Sequence, residues 1–347
     1  MITLGELAQR LNLSPGDADT ETVLVAIAPL HRAGPSDLAF ISDGQYLDSL
    51  RDTSAGCVLL REEWQEYCSV PYLVSADPYL AYALATRVFE GMRGVEPGVH
   101  STAIVHESVA LGANIAIGPH VVVDARVILG EGVRIGAGSY IGEGTSIGAG
   151  TRIEPNVTIH RGVRMGRDGV VDASTVIGSD GFGFARHKRG WERIAQLGGV
   201  LIGDRVHIGS SCSIDRGALD DTTIGDDVII DNQVHIAHNC RIGDRTAIAG
   251  CVGFAGSVEV GSDCTFAGQV GVSGHLKICD NAHFTGQARV TRSITEPGSY
   301  ASGTPLEPQR QWGKNAVRFT QLDALQKRVQ LLEKALAAAD NEEQDDS

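Results

Sequence analysis

Aromatic residues are scarce in this chain: Trp, Tyr and Phe make up 5% of 347 residues. Such a composition disfavours a fold built around large buried rings. Cysteine is present seven times, but never as CxxC and in an odd number, which excludes a disulfide scaffold and a structural zinc site. No run of 18 apolar residues occurs, so no membrane span is expected. The start, MITLGELAQRLNLS, lacks a basic segment followed by an apolar run, so no signal peptide is expected and the cytoplasm is the expected compartment. Basic residues are in deficit, with a net charge of -14. A general nucleic-acid or anionic-membrane binder is thereby disfavoured, because phosphate recognition needs clustered Lys and Arg.

Glycine is abundant instead: 43 residues, about 12% against a usual ~7%. From Val105 an apolar residue recurs every six positions, through Leu111, Ile117 and Val123 to Ile177. The series resumes at Ile202, Ile208 and Ile214 and slips by four residues within DRGALDD. It then runs from Ile224 to Val290. A period of six matches neither a helix nor a simple strand. It matches a short strand and a corner, three of which close an 18-residue lap, with laps stacked ~4.8 Å apart. The apolar residue should point into the shaft, and the Gly that often follows it should relax the corner backbone. Cys212, Cys240 and Cys264 each lie two residues before a core position and read as small buried hydrophobes. These hexapeptides resemble the left-handed parallel β-helix of bacterial acyltransferases. That resemblance implies handedness, a homotrimer, and active sites in clefts between subunits.

The expected organisation is a small α/β module at 1–98, the β-helix at 99–294, and a linker and helix at 295–347. Helices are predicted at 4–11 and 77–90, and strands at 56–60 and 72–74. EPGVH at 96–100 marks the first boundary. Residues 178–200 interrupt the coils as a hairpin-like loop or a flap over a cleft. Near the C-terminus Leu322, Leu325, Val329, Leu332 and Leu336 form a short heptad seam, followed by an acidic tail.

An 18-residue lap stacks His238, Gly256 and Gly274 in one column, and Asn239, Ser257 and His275 in the next. A base beside open backbone N–H groups is what acyl transfer needs. The rival reading, a histidine zinc site, fails for want of a third histidine in those columns, so no metal is expected.

Three strings, IGSDGFGFA (177–185), IDRGALDDTTIG (214–225) and DNQVHIAHNCRIGDRTAIAGCVGFAGS (231–257), resemble UDP-3-O-(3-hydroxyacyl)glucosamine N-acyltransferases of lipid A assembly. ITEPGSYASG (294–303) agrees, and AFISDGQY (39–46) resembles their uridine-binding module. The resemblance implies transfer of a 3-hydroxyacyl group from the phosphopantetheine arm of acyl carrier protein to the 2-amino group of a UDP-glucosamine-based lipid precursor, without another cofactor. It implies His238 as general base, Gly256 N–H as oxyanion donor, and His275 near the nucleotide phosphates; Asn239 is expected among the substrate-binding residues. Phe40 and Tyr46 match the aromatics that flank the uracil. Asp43 stands where the family commonly has Asn, and a carboxylate only accepts hydrogen bonds. In TGQARVTRS the residues Gln287, Arg289 and Thr291 replace the apolar residues that limit the family's acyl pocket. Arg292, Arg310, Lys314 and Arg318 are the expected basic contacts for the acidic carrier protein. The alternatives weighed are a UDP-N-acetylglucosamine O-acyltransferase, an acetyl-CoA-dependent sugar acetyltransferase and a non-catalytic scaffold.

Overall fold

A computed structural model describes residues 1–15, 18–91 and 97–345. Glu96 of the expected boundary and the last two residues of the acidic tail lie outside the described residues. The chain divides into two compact units, Met1–Glu96 and Pro97–Ser347.

The first unit is built on a four-stranded parallel sheet of Ala26–Ile27, Asp37–Phe40, Cys57–Leu60 and Tyr72–Val74. Cys57–Leu60 is buried at every position, as expected of a parallel strand covered on both faces. Cys57 and Leu59 join the helices Leu4–Leu11 and Pro78–Gly91 in one apolar layer. Val58 and Leu60 join Ile41, Leu50 and Trp64 in the other. Both helices begin as the sequence predicts. Thr3 and Glu6 form a reciprocal capping box. Asp77 accepts hydrogen bonds from the N–H groups of Tyr79 and Leu80, with Pro78 in the first turn.

The second unit winds into three parallel sheets of eleven, ten and nine strands, a left-handed β-helix. Residues 18 apart pair in register, as in Ile117 with Ile135 and Ile153. The six-residue series fills the shaft from Ile117 onward, each side chain contributing ~1.5–3 kcal/mol against chain entropy. Leu111 in the first lap is exposed because no lap covers it from below. Large rings appear only toward the far end, where Phe266, Phe284 and Tyr300 stack at 4.8 and 5.7 Å.

The structure corrects the reading of the glycine that follows each core residue. Gly130, Gly136 and Gly142 have ordinary backbone angles. A Cβ on them would meet backbone atoms of the next lap at 2.5–2.6 Å. They permit close stacking of laps. The left-handed conformation falls two residues later, at Gly132, Gly138 and Gly144 with φ 68–70°. There a Cβ is conformationally disfavoured.

The slot two residues before the core position is most often a buried valine, but at several positions it carries a buried hydroxyl or thiol. Thr145 donates to the carbonyl of His160 at 3.1 Å, and Cys240 donates to that of Ala255 at 3.2 Å, in each case 15 residues on. Cysteine is thus a weaker-bonding stand-in for threonine. Burial pushes the Cys240 thiol up to about 11, which leaves it unreactive at neutral pH.

Two departures from the 18-residue lap shape the surface. Residues 178–200 form an antiparallel hairpin, Phe184–His187 against Gly190–Arg193. The four-residue slip lengthens one lap, so that Ile202 pairs with Ile224. The C-terminal segment forms helices Gln309–Phe319 and Leu322–Asp345. All five residues of the heptad seam are exposed in the single chain.

Candidate active site

The ten-strand face carries the columns expected from the sequence. The N–H of Ser257 donates to the His238 carbonyl at 2.9 Å, and that of His275 to the Gly256 carbonyl at 3.0 Å. Asn239, Ser257 and His275 occupy successive left-handed corners with φ 60–63°. The imidazole lies directly over Gly256, where an added Cβ would sit 2.6 Å from both Nε2 and Cε1. Only glycine leaves room for the ring there. The Gly256 N–H takes no part in the ladder among the described residues, so it is free to donate to a ligand.

Asn239 decides the tautomer of His238. Its Oδ1 accepts from the Ala218 N–H at 3.0 Å, while its Nδ2 donates to the Asp220 carbonyl at 3.1 Å. Both partners belong to the inserted DRGALDD loop. With the amide oriented this way, the 3.0 Å contact from His238 Nδ1 to Asn239 Oδ1 requires a proton on Nδ1. Nε2 is then the basic nitrogen, and it faces Gly256.

The hairpin supplies the opposite wall. An added Cβ on Gly181 would meet the His238 Cβ at 2.6 Å and Cδ2 at 3.0 Å. The next residue, Phe182, is 85% exposed and lies 5.1 Å from the Phe184 ring. The hairpin root is clamped by Arg216, fully buried, whose guanidinium donates to the carbonyls of Gly198 and Arg161 at 2.9 and 2.8 Å.

A groove of about 640 Å³ runs along this face, lined by Phe182, Asp215, His235, His238, Gly256 and Arg289 among others. Its floor follows from register: His235, Gly253, Gly271 and Arg289 are stacked outward-facing neighbours. A Cβ on Gly253 or Gly271 would meet open space. Two glycines thus leave a trough between a histidine at one end and an arginine at the other. Asp215 is the groove's buried carboxylate. Its Oδ1 accepts from Ser179 Oγ at 2.8 Å, and its Oδ2 lies 3.8 Å from His235 Nε2. Burial pushes its carboxyl above the usual carboxylate range, against the opposing effects of Ser179, His235 and His238.

The remaining expected residues are distributed unevenly. Arg289 faces the groove, but Gln287 sits at a corner and donates to Gln269 at 2.8 Å, and Thr291 is exposed. His275 is exposed two laps beyond Asn239. Arg310, Lys314 and Arg318 recur every fourth residue on one exposed helix, and Arg292 is exposed on the last lap. In the first unit the Phe40 ring stacks on Tyr82 at 4.0 Å, with Tyr79 at 6.1 Å. Tyr46 is exposed, and Asp43 caps the turn Gly44–Tyr46 by accepting from the Gln45 N–H at 2.9 Å. Sequence reading missed Tyr79, Tyr82, Ser179 and Asp215, and it marked Gly181 only as part of a possible flap, without its contact to His238. Among the described residues no His/Cys/Asp/Glu cluster could hold a metal ion, and no helix is long and apolar enough to cross a membrane.

Comparison with known proteins separates the two units. The family model for UDP-3-O-(3-hydroxymyristoyl) glucosamine N-acyltransferase, LpxD, matches residues 21–88, and a bacterial transferase hexapeptide model matches 221–256. A solved Arabidopsis UDP-N-acetylglucosamine acyltransferase is similar at 25% identity with a TM-score of 0.53, covering 59% of this chain and 71% of its own. Over nearly the full length, the UDP-3-O-acylglucosamine N-acyltransferase of Chromohalobacter salexigens is 56% identical, covering 96% of each chain. That of Ectopseudomonas mendocina is 52% identical, over 97% of this chain and 95% of its own. The Pseudomonas aeruginosa enzyme is 50% identical, over 97% and 95%. This chain therefore belongs to the UDP-3-O-acylglucosamine N-acyltransferase family of acyltransferase enzymes in lipid A synthesis.

Proposed function

We propose that the chain transfers a 3-hydroxyacyl group from acyl carrier protein to the 2-amino group of UDP-3-O-(3-hydroxyacyl)glucosamine, in the cytoplasm and as a homotrimer. The observation that carries this reading is the fixed imidazole over Gly256: a nitrogen free to take a proton beside an N–H free to donate. His238 Nε2 removes a proton from the attacking amine. The Gly256 N–H stabilises the oxyanion that forms on the thioester carbonyl. Asn239 holds the neutral tautomer, and after attack the imidazolium returns its proton to the departing thiolate. The glycine-floored trough accepts the acyl chain, and Arg289 limits its length.

Uracil binding is assigned to the first unit, through Phe40 and Tyr46 with Asp43 nearby. The His275 imidazole serves the diphosphate. Carrier-protein docking is assigned to Arg292, Arg310, Lys314 and Arg318. The exposed heptad seam, at about two heptads, is too short to hold three copies together unaided, and it packs between subunits of the trimer. An O-acyltransferase reading is disfavoured because the first unit matches the N-acyltransferase family.

The test is direct. The enzyme is given hydroxyacyl carrier proteins of several chain lengths with the 3-O-acylated nucleotide sugar, and the product is weighed. A mass increase of one hydroxyacyl group at nitrogen supports the reading. Acylation only at a hydroxyl, or turnover of acetyl-CoA without carrier protein, contradicts it.

A further inference from the structure

A buried carboxylate beside a general base is costly unless a ligand repays it. Asp215 is nearly buried, and only one of its oxygens is hydrogen-bonded in the described residues, to Ser179. Asp215 is among the residues that line the groove, and its Oδ2 lies 3.8 Å from His235 Nε2. Because Ile214 pairs with Ile236, Asp215 lies level with Ala237, one residue from His238. The charged and titratable groups around it are His235, His238, the buried Cys240 thiol and Asp180, the last already paired with Arg193.

We infer that Asp215 is the acceptor-selecting residue: its free oxygen receives the ammonium form of the acceptor's amine and takes its first proton. The inference rests on the proposed N-acyl transfer. An amino sugar's amine, like an α-amino group, titrates near pH ~8 and is largely protonated in a neutral cell. As an ammonium it has no lone pair with which to attack. A hydroxyl acceptor has no such proton to shed, so this carboxylate has work only for an amine.

The protons balance. The ammonium gives one proton to Asp215, which releases it to solvent. The freed amine attacks the thioester carbonyl, forming the C–N bond, and His238 Nε2 takes the second proton. Collapse of the oxyanion on Gly256 breaks the C–S bond, and His238 returns its proton to the thiolate. Burial, which raises the Asp215 carboxyl, makes it a better acceptor of that first proton.

The test is kcat/KM for Asp215→Asn between pH 6.5 and 9.5. Asn keeps the shape and the bond from Ser179. We expect a loss of about 100-fold at pH 7 that shrinks to within about tenfold near pH 9, where the amine is already free. A loss of the same factor at every pH, or no loss, overturns the inference. A second measurement needs no variant. Below pH 8 the wild-type enzyme should bind the 2-amino acceptor at least about tenfold more tightly than its 2-hydroxy analogue, and equal affinity overturns the inference. Failure of the parent reading looks different: the wild-type enzyme would form no amide, or His238→Ala would keep full rate.

Discussion

Within the β-helix the laps from 132 to 162 and those from 205 to 287 share one period but use their corners differently, while the first corners, Asn114, His120 and Arg126, bear side chains like the later ones. From 132 to 162, five of the six left-handed corners are glycine, with φ 68–71°, and the sixth is Asn156. From Arg205 to Gln287 every recorded left-handed corner bears a side chain, including Asn239 and His275. A side chain there costs ~1–2 kcal/mol, somewhat less for Asn. Glycine corners minimise strain and contribute no chemistry. The late corners accept strain, and one of them fixes the tautomer of the candidate base. The contrast shows that a strained corner can serve the site as well as the coil.

Breaking the active column should give the largest effect. His238→Ala should lower turnover by ~10²–10⁴ with the fold intact, read by steady-state kinetics beside circular dichroism. Asn239→Gly comes next. It relieves the left-handed corner but removes the bonds to Ala218, Asp220 and His238. Turnover should fall at least about tenfold, while stability in urea changes by less than about 1 kcal/mol because relief and lost bonds oppose.

Asp215→Asn sharpens the comparison in the other direction. The Asp215 carboxyl is raised above its unfolded value by burial. Its contribution to stability is therefore fully present below the unfolded pKa and lost as pH rises through the raised folded one. The melting temperature of the Asn variant, relative to the parent, should climb between pH 4 and pH 8. The smallest effect on function is expected at Gly144→Ala in the early laps. It should cost about 1–2 kcal/mol in urea unfolding with kcat unchanged.

Much of this was legible in the sequence because the coil is periodic. A count of 18 is enough to set Gly256 beneath His238, since each lap is a fixed number of residues and hydrogen-bonds to the next. The same regularity hid the reason for the glycines. Both a tight corner and a close neighbouring lap demand a missing Cβ, and only coordinates separate them. What broke the period could not be counted. Gly181 reaches His238 from a hairpin whose path no repeat dictates. Asp215 meets Ser179 where the register shifts. The DRGALDD slip was visible, but its grip on Asn239 was not. In the first unit the Phe40–Tyr82 stack depends on how a helix docks on a sheet, which local sequence does not encode.

The central claim is that the imidazole and Gly256 act as one unit, and a double-variant cycle tests it most directly. In the parent, Gly256→Ala places a Cβ against the ring and should lower kcat by about 10²–10³. In a His238→Ala background that ring is absent, so adding Gly256→Ala should cost less than about tenfold more. Losses that multiply in full would show that the two residues act independently, and would contradict the account.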